Sequence, residues 1–385
     1  MLDQVVVDAD IESISCNGGD ADIGHPTVYY NFGEKSEVVC SYCGKKFLKK
    51  KIIMSNFKSI VLNKTGDQFT REVKNIDKSF LIHGDVLVKV DYSDFNYKDG
   101  MILKNGGSLV KDYPHIPGID FAGIVEESKS DKFKAGDKVI LTGWRVGEIY
   151  YGGYSQYAKV DANFLVKAPK DISTKHAMAI GTAGFTALLC SFAVQARETI
   201  LLGEKVNDVL VTGATGGVGS VAVMILSKMG YKVHALTGKK DKTDFLKNLG
   251  ASVVIDRSEL EGETRPLDKG LWDCVVDTVG GKVLAKALTH TKPTGIVAAC
   301  GLTNSFKLET TVMPFIIRGV KLWGINSVDT PMKRREFVWS QAASLIDMKK
   351  LDEITEVWSM SKLLSSYEKI LKGEVAGRVV IDVNQ

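Results

Sequence analysis

The chain has 385 residues, which is enough for two or three domains, and its 44% hydrophobic and 25% charged residues are typical of a globular protein with a sizeable core. The net charge of +4 is small and spread along the chain, which excludes a nucleic-acid-binding protein. No apolar segment has the length that we expect of a membrane span. The acidic first fifteen residues lack the features of a signal peptide, so we expect a cytoplasmic protein with reduced thiols.

Residues 1–50 contain a possible metal site. Its four ligands are Cys16, His25, Cys40 and Cys43. Three thiolates and one imidazole make a closed tetrahedral set of the structural zinc type, with no open position for catalysis. A segment this short buries little core, so a bound metal would help to hold it together. The alternatives are a redox Cys-x-x-Cys, which normally needs a thioredoxin-like unit that is absent here, or unrelated cysteines in a disordered tail.

The residues around these ligands resemble a known family. The stretches Gly24-His-Pro-Thr-Val-Tyr-Tyr-Asn31 and Val39-Cys-Ser-Tyr-Cys-Gly-Lys-Lys-Phe47 resemble the CHCC zinc-finger family over residues 14–47. The resemblance implies structural zinc. We interpret the basic run Lys49-Lys50-Lys51 as a linker, and Met54 as the former start of an independent protein. The chain would then be a fusion in which the finger is dispensable for catalysis.

The pattern of residues 54–180 predicts a β-rich domain. Segments 85–91, 138–142 and 157–160 have the alternating or apolar pattern of strands, separated by Gly, Pro, Asp and Asn. A helix-like segment over 180–190 follows.

A glycine-rich turn then stands between a strand and a helix. It reads Asp208-Val-Leu-Val-Thr-Gly-Ala-Thr-Gly-Gly-Val-Gly-Ser220, and the apolar residues from Val218 to Met229 fall on one helical face. Glycines let a pyrophosphate approach the backbone, and the helix start offers free N–H groups. The alternative is a tight turn without a ligand.

Strands and helices alternate after this turn. We predict strands at 232–236, 252–255, 274–277, 295–300 and 320–325, and helices at 243–249 and 282–288. Such alternation indicates a parallel, doubly wound sheet. The last sixty residues return to helix and strand, ending in an apolar segment at 377–383.

This order of domains resembles the medium-chain dehydrogenase/reductase superfamily. Its quinone-oxidoreductase-like marks are Asn96-Tyr-Lys-Asp99, Ile116-Pro-Gly-Ile-Asp-Phe-Ala-Gly123 and the glycine turn. The acryloyl-CoA reductase branch is resembled more closely, through Leu141-Thr-Gly-Trp-Arg-Val-Gly-Glu148, Ile180-Gly-Thr-Ala-Gly-Phe-Thr-Ala187, Asp277-Thr-Val-Gly280 and Thr310-Thr-Val-Met-Pro-Phe-Ile-Ile-Arg318. The resemblance implies an α/β fold. A GroES-like β-rich catalytic domain (54–180, completed by 326–385) would carry an inserted Rossmann NADP-binding domain (181–325), preceded by the zinc finger.

The catalytic zinc of the superfamily's alcohol dehydrogenases is not expected. Asn96 and Ile119 stand where those enzymes have a cysteine and a histidine, and an open zinc site needs three protein ligands. The finger's zinc lies outside the enzyme body. We therefore reject a zinc alcohol dehydrogenase mechanism.

The end of the second predicted strand favours NADPH. No carboxylate follows this strand until Asp241, whereas Thr237, Gly238 and Lys239 suit a 2′-phosphate. The alternative is that Lys239 and Lys240 are only solvent-exposed charges on a surface loop. Gly216 and Gly217 belong to the phosphate turn, and the resemblance adds further cofactor contacts at Tyr97, Val218, Gly219, Ser220, Leu302 and Ser327.

The resemblance implies a zinc-independent oxidoreductase that transfers hydride from NADPH to the double bond of acryloyl-CoA, giving propanoyl-CoA. Tyr97 is the first choice as hydrogen-bond donor to the enolate, although it could simply pack against the cofactor. We expect Asp120 to hold the active-site backbone rather than to transfer protons. Three arginines could meet the CoA phosphates, although at least two of them more often end as solvated surface charges: Arg318, Arg334 and Arg335.

Two alternatives stay open. One is an NADPH-dependent quinone or general activated-alkene reductase, because motifs alone do not settle the substrate. The other is a zinc-finger adaptor that docks a protein partner and is fused to a reductase. The family resemblance implies a homodimer.

Overall fold

The computed structural model describes residues 4–8, 11–19, 24–49, 56–200 and 202–385. They belong to two compact units, residues 1–56 and residues 57–385, and each is described by itself. Lys50, Lys51 and Met54, which the sequence analysis singled out, lie outside the described residues.

The small unit is built from short strands around a minimal core. Its strands are β1 (Gln4–Val7), β2 (Ser13–Cys16), β3 (Val28–Asn31), β4 (Glu37–Val39) and β5 (Lys46–Lys49). The order β1-β5-β4 makes one sheet, and β2 pairs with β3 in a separate antiparallel ladder. The buried residues are Cys16, Phe32, Cys40 and Phe47. Because half of this core consists of cysteines, apolar burial alone gives the unit little stability.

The large unit contains the other strands and the helices. Its strands are β6 (Phe57–Thr65), β7 (Gln68–Ile76), β8 (Val86–Asp94), β9 (Asp120–Ser128), β10 (Lys138–Thr142), β11 (Tyr157–Val160), β12 (Val166–Lys167), β13 (Asp208–Val211), β14 (Lys232–Thr237), β15 (Val253–Asp256), β16 (Trp272–Asp277), β17 (Thr291–Ala299), β18 (Lys321–Gly324), β19 (Thr355–Ser359) and β20 (Arg378–Asp382). Its helices are α1 (Tyr97–Asn105), α2 (Thr174–Ile200), α3 (Gly217–Lys228), α4 (Thr243–Leu249), α5 (Gly281–Thr289), α6 (Met313–Arg318), α7 (Met332–Leu345), α8 (Met348–Glu353), α9 (Met360–Ser366) and α10 (Glu368–Leu371).

Two sheets form the framework of the large unit. The first has the order β12-β10-β9-β8-β20-β19, with β11 also paired to β8, and it is antiparallel except for the parallel pair β19–β20. The second is parallel, with the order β15-β14-β13-β16-β17-β18. This is the doubly wound order 3-2-1-4-5-6, in which a dinucleotide binds where the strand order reverses, between β13 and β16. The predicted fold class is therefore confirmed.

Helix α2 is longer than the helix expected over 180–190. It begins at Thr174 and is interrupted at Gly181, where φ is 50° and ψ is −160°. By length and composition it could cross a membrane, but 89% of its apolar window is buried inside the protein. The expectation that no segment reaches such a length is therefore wrong, although the burial identifies α2 as a core helix.

Candidate functional site

Three buried carboxylates gather at the end of β8 and the start of β9. Asp94, Asp99 and Asp120 are each completely buried. Asp99 lies in the first turn of α1, where its side chain accepts hydrogen bonds from the backbone N–H groups of Asn96 (3.0 Å) and Ile119 (3.0 Å). A carboxylate near a helix N-terminus is favourable, and here it also fixes the two segments relative to each other.

Burial raises the pKa of all three carboxyl groups. Desolvation is the main cause in each case, and it raises the pKa of Asp99 to about 7. The neighbouring carboxylates raise the pKa of Asp94 further, whereas Arg378 opposes this increase. The cluster therefore retains protons at a pH where exposed carboxyl groups are ionised.

Arg378 is the buried cation of this cluster. Its Nη2 donates to Asp94 Oδ2, its Nε donates to the carbonyl oxygen of Ala179 (2.7 Å), and its Nη1 lies 3.4 Å from Asn96 Oδ1. A Cβ at Gly217 would lie only 2.9 Å from Nη1. Arg378, at the start of β20, therefore connects the carboxylate cluster with the glycine turn.

Both polar atoms of the Asn96 side chain have partners. Its Nδ2 donates to Asp94 Oδ1 (2.8 Å) and to Asp120 Oδ2 (3.2 Å), while its Oδ1 faces Arg378. Asp120 also accepts hydrogen bonds from the backbone N–H (2.6 Å) and the hydroxyl (2.7 Å) of Thr182. Asp120 thus joins β9, α1 and the second half of α2.

Tyr97 is the first residue of α1 and is half-buried. Among the described residues, none forms a hydrogen bond with its hydroxyl, so this donor is available to a ligand. The next residue, Lys98, forms an ion pair with Glu148 at 2.7 Å. The start of α1 is therefore fixed while the Tyr97 hydroxyl remains free.

The glycine turn has the geometry of a phosphate-binding site. Gly216 caps α3 without a side-chain hydrogen bond, and the nearest atom to a Cβ placed there would be a backbone oxygen at 3.3 Å. At Gly219 a Cβ would lie 2.3 Å from the oxygen of Gly213, so this glycine allows helix and turn to pack closely. Val218 and Ser220 follow within the first turn of α3, whose N–H groups suit a pyrophosphate.

The neighbouring strand β16 is held to this turn by side chains. The Thr212 hydroxyl donates to Asp277 Oδ1 (2.7 Å), and the Thr278 hydroxyl donates to the carbonyl oxygen of Thr212 (2.8 Å). Asp277 also accepts from the N–H of Gly280 at 2.8 Å. These bonds stabilise the crevice between β13 and β16, where a dinucleotide binds in this topology.

The predicted 2′-phosphate region includes a residue that the sequence analysis missed. Lys239 donates its Nζ to the carbonyl oxygen of Val375 (2.9 Å), and its backbone N–H donates to the Thr237 hydroxyl (3.0 Å). The guanidinium of Arg257 lies beside Gly238, with its Cζ 3.4 Å from the position of a Cβ there. Arg257 follows β15, the neighbour of β14, and only this pairing could have revealed it.

The two remaining predicted cofactor contacts, Leu302 and Ser327, are far from the carboxylate cluster along the sequence. Leu302 is exposed after β17, and its Cα lies 3.2 Å from the position of a Cβ at Gly280. Ser327 follows β18, and its carbonyl oxygen accepts from Arg335 Nη2 at 2.9 Å.

Two of the three arginines assigned to CoA phosphates serve the fold instead. Arg335 is completely buried and donates to backbone oxygens of Thr142, Ser327 and Val328. Arg318 donates to the backbone oxygens of Asp268, Thr289 and Thr291. The guanidinium groups of both residues are used by backbone carbonyl groups, so the assignment to CoA phosphates is wrong for both; Arg335 is buried rather than solvated, whereas Arg318 is half-buried. Arg334 is exposed.

The four predicted zinc ligands meet in the small unit. The ligand atoms of Cys16, His25, Cys40 and Cys43 all lie within 4.8 Å of one another. Cys16 Sγ is 3.7 Å from both Cys43 Sγ and His25 Nε2, and Cys40 Sγ is 3.2 Å from His25 Nε2. A zinc tetrahedron with Zn–S bonds of about 2.3 Å has S–S edges of about 3.8 Å, so the group fits zinc.

The surroundings of two of these ligands, His25 and Cys40, suit metal binding, whereas burial raises the pKa of the Cys16 thiol. His25 Nδ1 lies 2.8 Å from the carbonyl oxygen of Pro26, an arrangement that leaves Nε2 as the ligand atom. Burial opposes ionisation of Cys40, but backbone N–H groups of Cys43 and Tyr42 and the hydroxyl of Tyr30 lower the pKa of the thiol to about 6. Thiolate is the form that binds zinc.

Comparisons with known proteins assign these features to families. The family model of the alcohol dehydrogenase GroES-like domain matches residues 83–170, that of the zinc-binding dehydrogenases matches 217–345, and a zinc-finger domain matches 12–47. Acrylyl-CoA reductase AcuI of Ruegeria pomeroyi is 47% identical over 331 residues, covering 85% of this chain and 99% of that protein. The putative quinone oxidoreductase YhfP of Bacillus subtilis is 43% identical and covers 84% and 98%.

A solved structure agrees with these matches. The YhdH oxidoreductase of Salmonella enterica, in complex with NADP, superposes with a TM-score of 0.81 at 41% identity, covering 84% of this chain and 99% of that one. The chain therefore belongs to the acrylyl-CoA reductase branch of the medium-chain dehydrogenase/reductase superfamily and carries a zinc-finger domain at its N-terminus.

Proposed function

We propose that this protein reduces acryloyl-CoA (acrylyl-CoA) to propanoyl-CoA with NADPH. The observation that carries the proposal is the 47% identity to an acrylyl-CoA reductase along 99% of that protein's length. Supporting it, the chain presents a free tyrosine hydroxyl and a buried polar cluster beside a glycine turn suited to a dinucleotide.

NADPH, when bound, supplies a hydride to the β-carbon of the conjugated double bond. Negative charge then moves onto the thioester oxygen, where a donor must stabilise it. Tyr97 donates this hydrogen bond, because its hydroxyl has no partner among the described residues. The Asn96 side chain donates to Asp120, and the Asn96 backbone N–H donates to Asp99, so the start of α1 just before Tyr97 is held in place.

Basic and small residues bind the cofactor's phosphates. The turn Gly216, Gly217, Val218, Gly219 and Ser220 receives the pyrophosphate at the start of α3. Thr237, Gly238 and Lys239 line the 2′-phosphate together with Arg257, whose guanidinium lies over Gly238. Leu302 and Ser327 contact the nicotinamide side. In the small unit, zinc has a purely structural role, since all four ligands come from the protein.

A substrate panel tests the function. Steady-state assays should compare acryloyl-CoA, crotonyl-CoA and a benzoquinone, each with NADPH and NADH. We expect the highest kcat/KM with acryloyl-CoA and NADPH. Turnover of the quinone alone would instead support the second candidate, a quinone or general activated-alkene reductase, which the 43% identity to a putative quinone oxidoreductase favours.

After the zinc finger, the chain forms two further domains. A GroES-like catalytic domain covers 54–180 and 326–385, and a Rossmann domain covers 181–325. In support, the mixed sheet is formed by β8–β12 with β19 and β20, whereas the parallel sheet is formed by β13–β18. Helix α2 runs across the boundary, which falls at the interruption at Gly181.

The protein forms a homodimer through the edge of its parallel sheet. Strand β18 is an edge strand on which Leu322 and Trp323 are exposed, next to the exposed Ile316 and Ile317 of α6. An exposed apolar edge strand favours pairing with a second copy. In sedimentation experiments, the Leu322→Lys variant should be a monomer. The control Val253→Lys, on the opposite edge strand β15, should remain a dimer. If both variants are dimers, this interface is wrong.

The zinc finger binds a protein partner in the cytoplasm. Tyr29 and Tyr42 are exposed on this compact unit, and exposed tyrosines are common at interfaces. Deleting residues 1–53 should abolish co-purification of the partner and leave reductase activity unchanged. Loss of reductase folding would instead give the finger a structural role. Activity recovered mainly in a membrane or organelle fraction would contradict the cytoplasmic assignment.

A further inference from the structure

Thr182 has an unusual place at the interruption of α2. The positive φ of Gly181 breaks the helical hydrogen-bond pattern, and the Thr182 backbone N–H therefore points to Asp120 Oδ2 at 2.6 Å. The Thr182 hydroxyl lies 2.7 Å from the other oxygen, Oδ1. One threonine thus holds both oxygens of one carboxyl group.

Burial differs sharply between the two partners. Asp120 is completely buried, whereas Thr182 is half-buried. The next residue, Ala183, has its Cβ 3.4 Å from the position that a Cβ on Gly217 would occupy. Thr182 therefore lies where the carboxylate cluster and the cofactor-binding turn meet, and it is half-buried while its carboxyl partner is completely buried.

Reduction of a conjugated thioester needs two different donors. One stabilises the enolate oxygen, and the other gives a proton to the α-carbon. Tyr97 suits the first task, but no described residue stands behind its hydroxyl to replace a lost proton. The Thr182 hydroxyl, in contrast, lies against the carboxyl group of Asp120.

We propose that Thr182 is the catalytic proton donor to the α-carbon and that Asp120 restores its proton. This inference rests on the proposed reduction of acryloyl-CoA. The electron pair of the enolate forms a C–H bond at the α-carbon while the O–H bond of Thr182 breaks. For this step the Thr182 hydroxyl, which donates to Asp120 Oδ1 in the structure, turns toward the α-carbon, and a protonated Asp120 passes its proton to the Thr182 oxygen and becomes a carboxylate. After product release, a solvent proton, which is the H+ that the reduction consumes together with NADPH, returns to Asp120 through the same hydroxyl, and the cycle is balanced.

The charges around Asp120 are compatible with this role. Burial raises the pKa of Asp120, although the hydrogen bonds from Thr182 and the nearby Arg378 oppose the increase. Asp94 and Asp99 have raised pKa values as well. Two buried guanidinium groups act on the cluster: Arg378 forms an ion pair with Asp94, and Arg335 interacts electrostatically with Asp120.

The first test separates the hydroxyl from the shape of the side chain. Thr182→Val is nearly isosteric and should lower kcat for acryloyl-CoA about 100-fold or more, as loss of a general acid does. Thr182→Ser should retain kcat within about threefold, because it keeps the hydroxyl. NADPH binding, followed by nucleotide fluorescence without substrate, should stay within about twofold in both variants. Thr186→Val is the matched control, since its buried hydroxyl binds only the backbone oxygen of Thr182.

The second test follows the proton itself. In D2O the wild type should place deuterium on one face of the α-carbon and give a single epimer of α-deuterated propanoyl-CoA. Thr182→Val should give both epimers, because solvent replaces the protein donor. A single epimer from Thr182→Val, or a kcat within threefold of wild type, would overturn the inference. A wild type that does not reduce acryloyl-CoA would instead refute the proposed function.

Discussion

The Tyr97 hydroxyl can be removed without removing its ring. Tyr97→Phe retains packing against a cofactor but loses the hydrogen bond to the enolate. We expect kcat for acryloyl-CoA to fall about 100-fold, a typical loss for one oxyanion donor, with unchanged NADPH affinity. Steady-state kinetics and a fluorescence titration with NADPH measure the two quantities. An unchanged kcat would mean that Tyr97 only packs against the cofactor.

Arg257 should contribute to the preference for NADPH over NADH. Arg257→Leu removes a guanidinium beside Gly238, and a hydrogen bond to a charged group contributes about 1.5–3 kcal/mol. We expect KM for NADPH to rise by about 10- to 100-fold and KM for NADH to stay constant. Lys240→Leu, on an exposed lysine paired with Asp256, is the control and should change neither value. Equal effects on both cofactors would exclude a role in binding the 2′-phosphate.

Asp99 should make the stability of the protein depend on pH. Its pKa is raised from 3.8 to about 7, so the folded state binds the proton more tightly than the unfolded state. The resulting stabilisation is full below pH 4 and is lost as pH rises through 7, by at most about 4 kcal/mol. In urea titrations, Asp99→Asn should show a smaller decrease in unfolding free energy between pH 5 and 8. Asp77→Asn, which lacks a raised pKa, should keep the wild-type slope.

The sequence shows which residue types are present and how they are spaced, but it does not show which groups surround each side chain in the fold. The ligand set of the finger follows from spacing and is brought together in the fold. Arg378 and Asp94 are 284 residues apart, and no local pattern connects them. Arg318 and Arg335 illustrate the same difficulty, because the sequence shows their charge but not the backbone carbonyls that surround them.

At the scale of elements, the interruption of α2 depends on Gly181. A Cβ at this position would lie 1.9 Å from Asp94 Oδ2 and 2.9 Å from Arg378 Nη2. Gly181→Ala should therefore displace a buried ion pair, in addition to a backbone cost of about 1–3 kcal/mol, because essentially only glycine adopts this combination of φ and ψ. We expect a loss of at least about 3 kcal/mol, because breaking a buried pair alone costs about that much.

A second glycine, Gly373, serves as a control that separates the backbone cost from the cost of displacing the ion pair. Gly373 also has a positive φ, of 69°, but no atom lies within 4 Å of the position of its Cβ. Gly373→Ala should therefore lose only the backbone contribution of about 1–2 kcal/mol. Equal losses in the two variants, measured by urea unfolding, would show that the ion pair adapts without cost.

Most elements of the large unit follow from local patterns. The segments predicted at 138–142, 157–160 and 243–249 coincide with β10, β11 and α4. Helix α2, which covers Thr174–Ile200, is longer than the helix predicted over 180–190. Its earlier part is helical because Ala177, Met178 and Ile180 pack in the core, and this tertiary burial cannot be read from the sequence.

At the scale of the whole molecule, the two units are stabilised by different means. The large unit buries extended apolar clusters on both faces of its parallel sheet. The small unit buries only Cys16, Phe32, Cys40 and Phe47. A core of this size does not offset the conformational entropy of about fifty residues, so the metal must supply the difference.

Loss of zinc should therefore unfold the small unit alone. Cys43→Ser removes one ligand, and we expect the bound zinc to fall from one ion per chain to none. Amides of 28–49 should then lose their protection from hydrogen exchange, whereas those of β13–β17 should keep theirs, and kcat/KM should stay within about twofold because each unit has its own core. Cys300→Ser changes a cysteine outside the finger and should keep the zinc. A fall in protection of the parallel sheet in Cys43→Ser would show that the reductase depends on its finger.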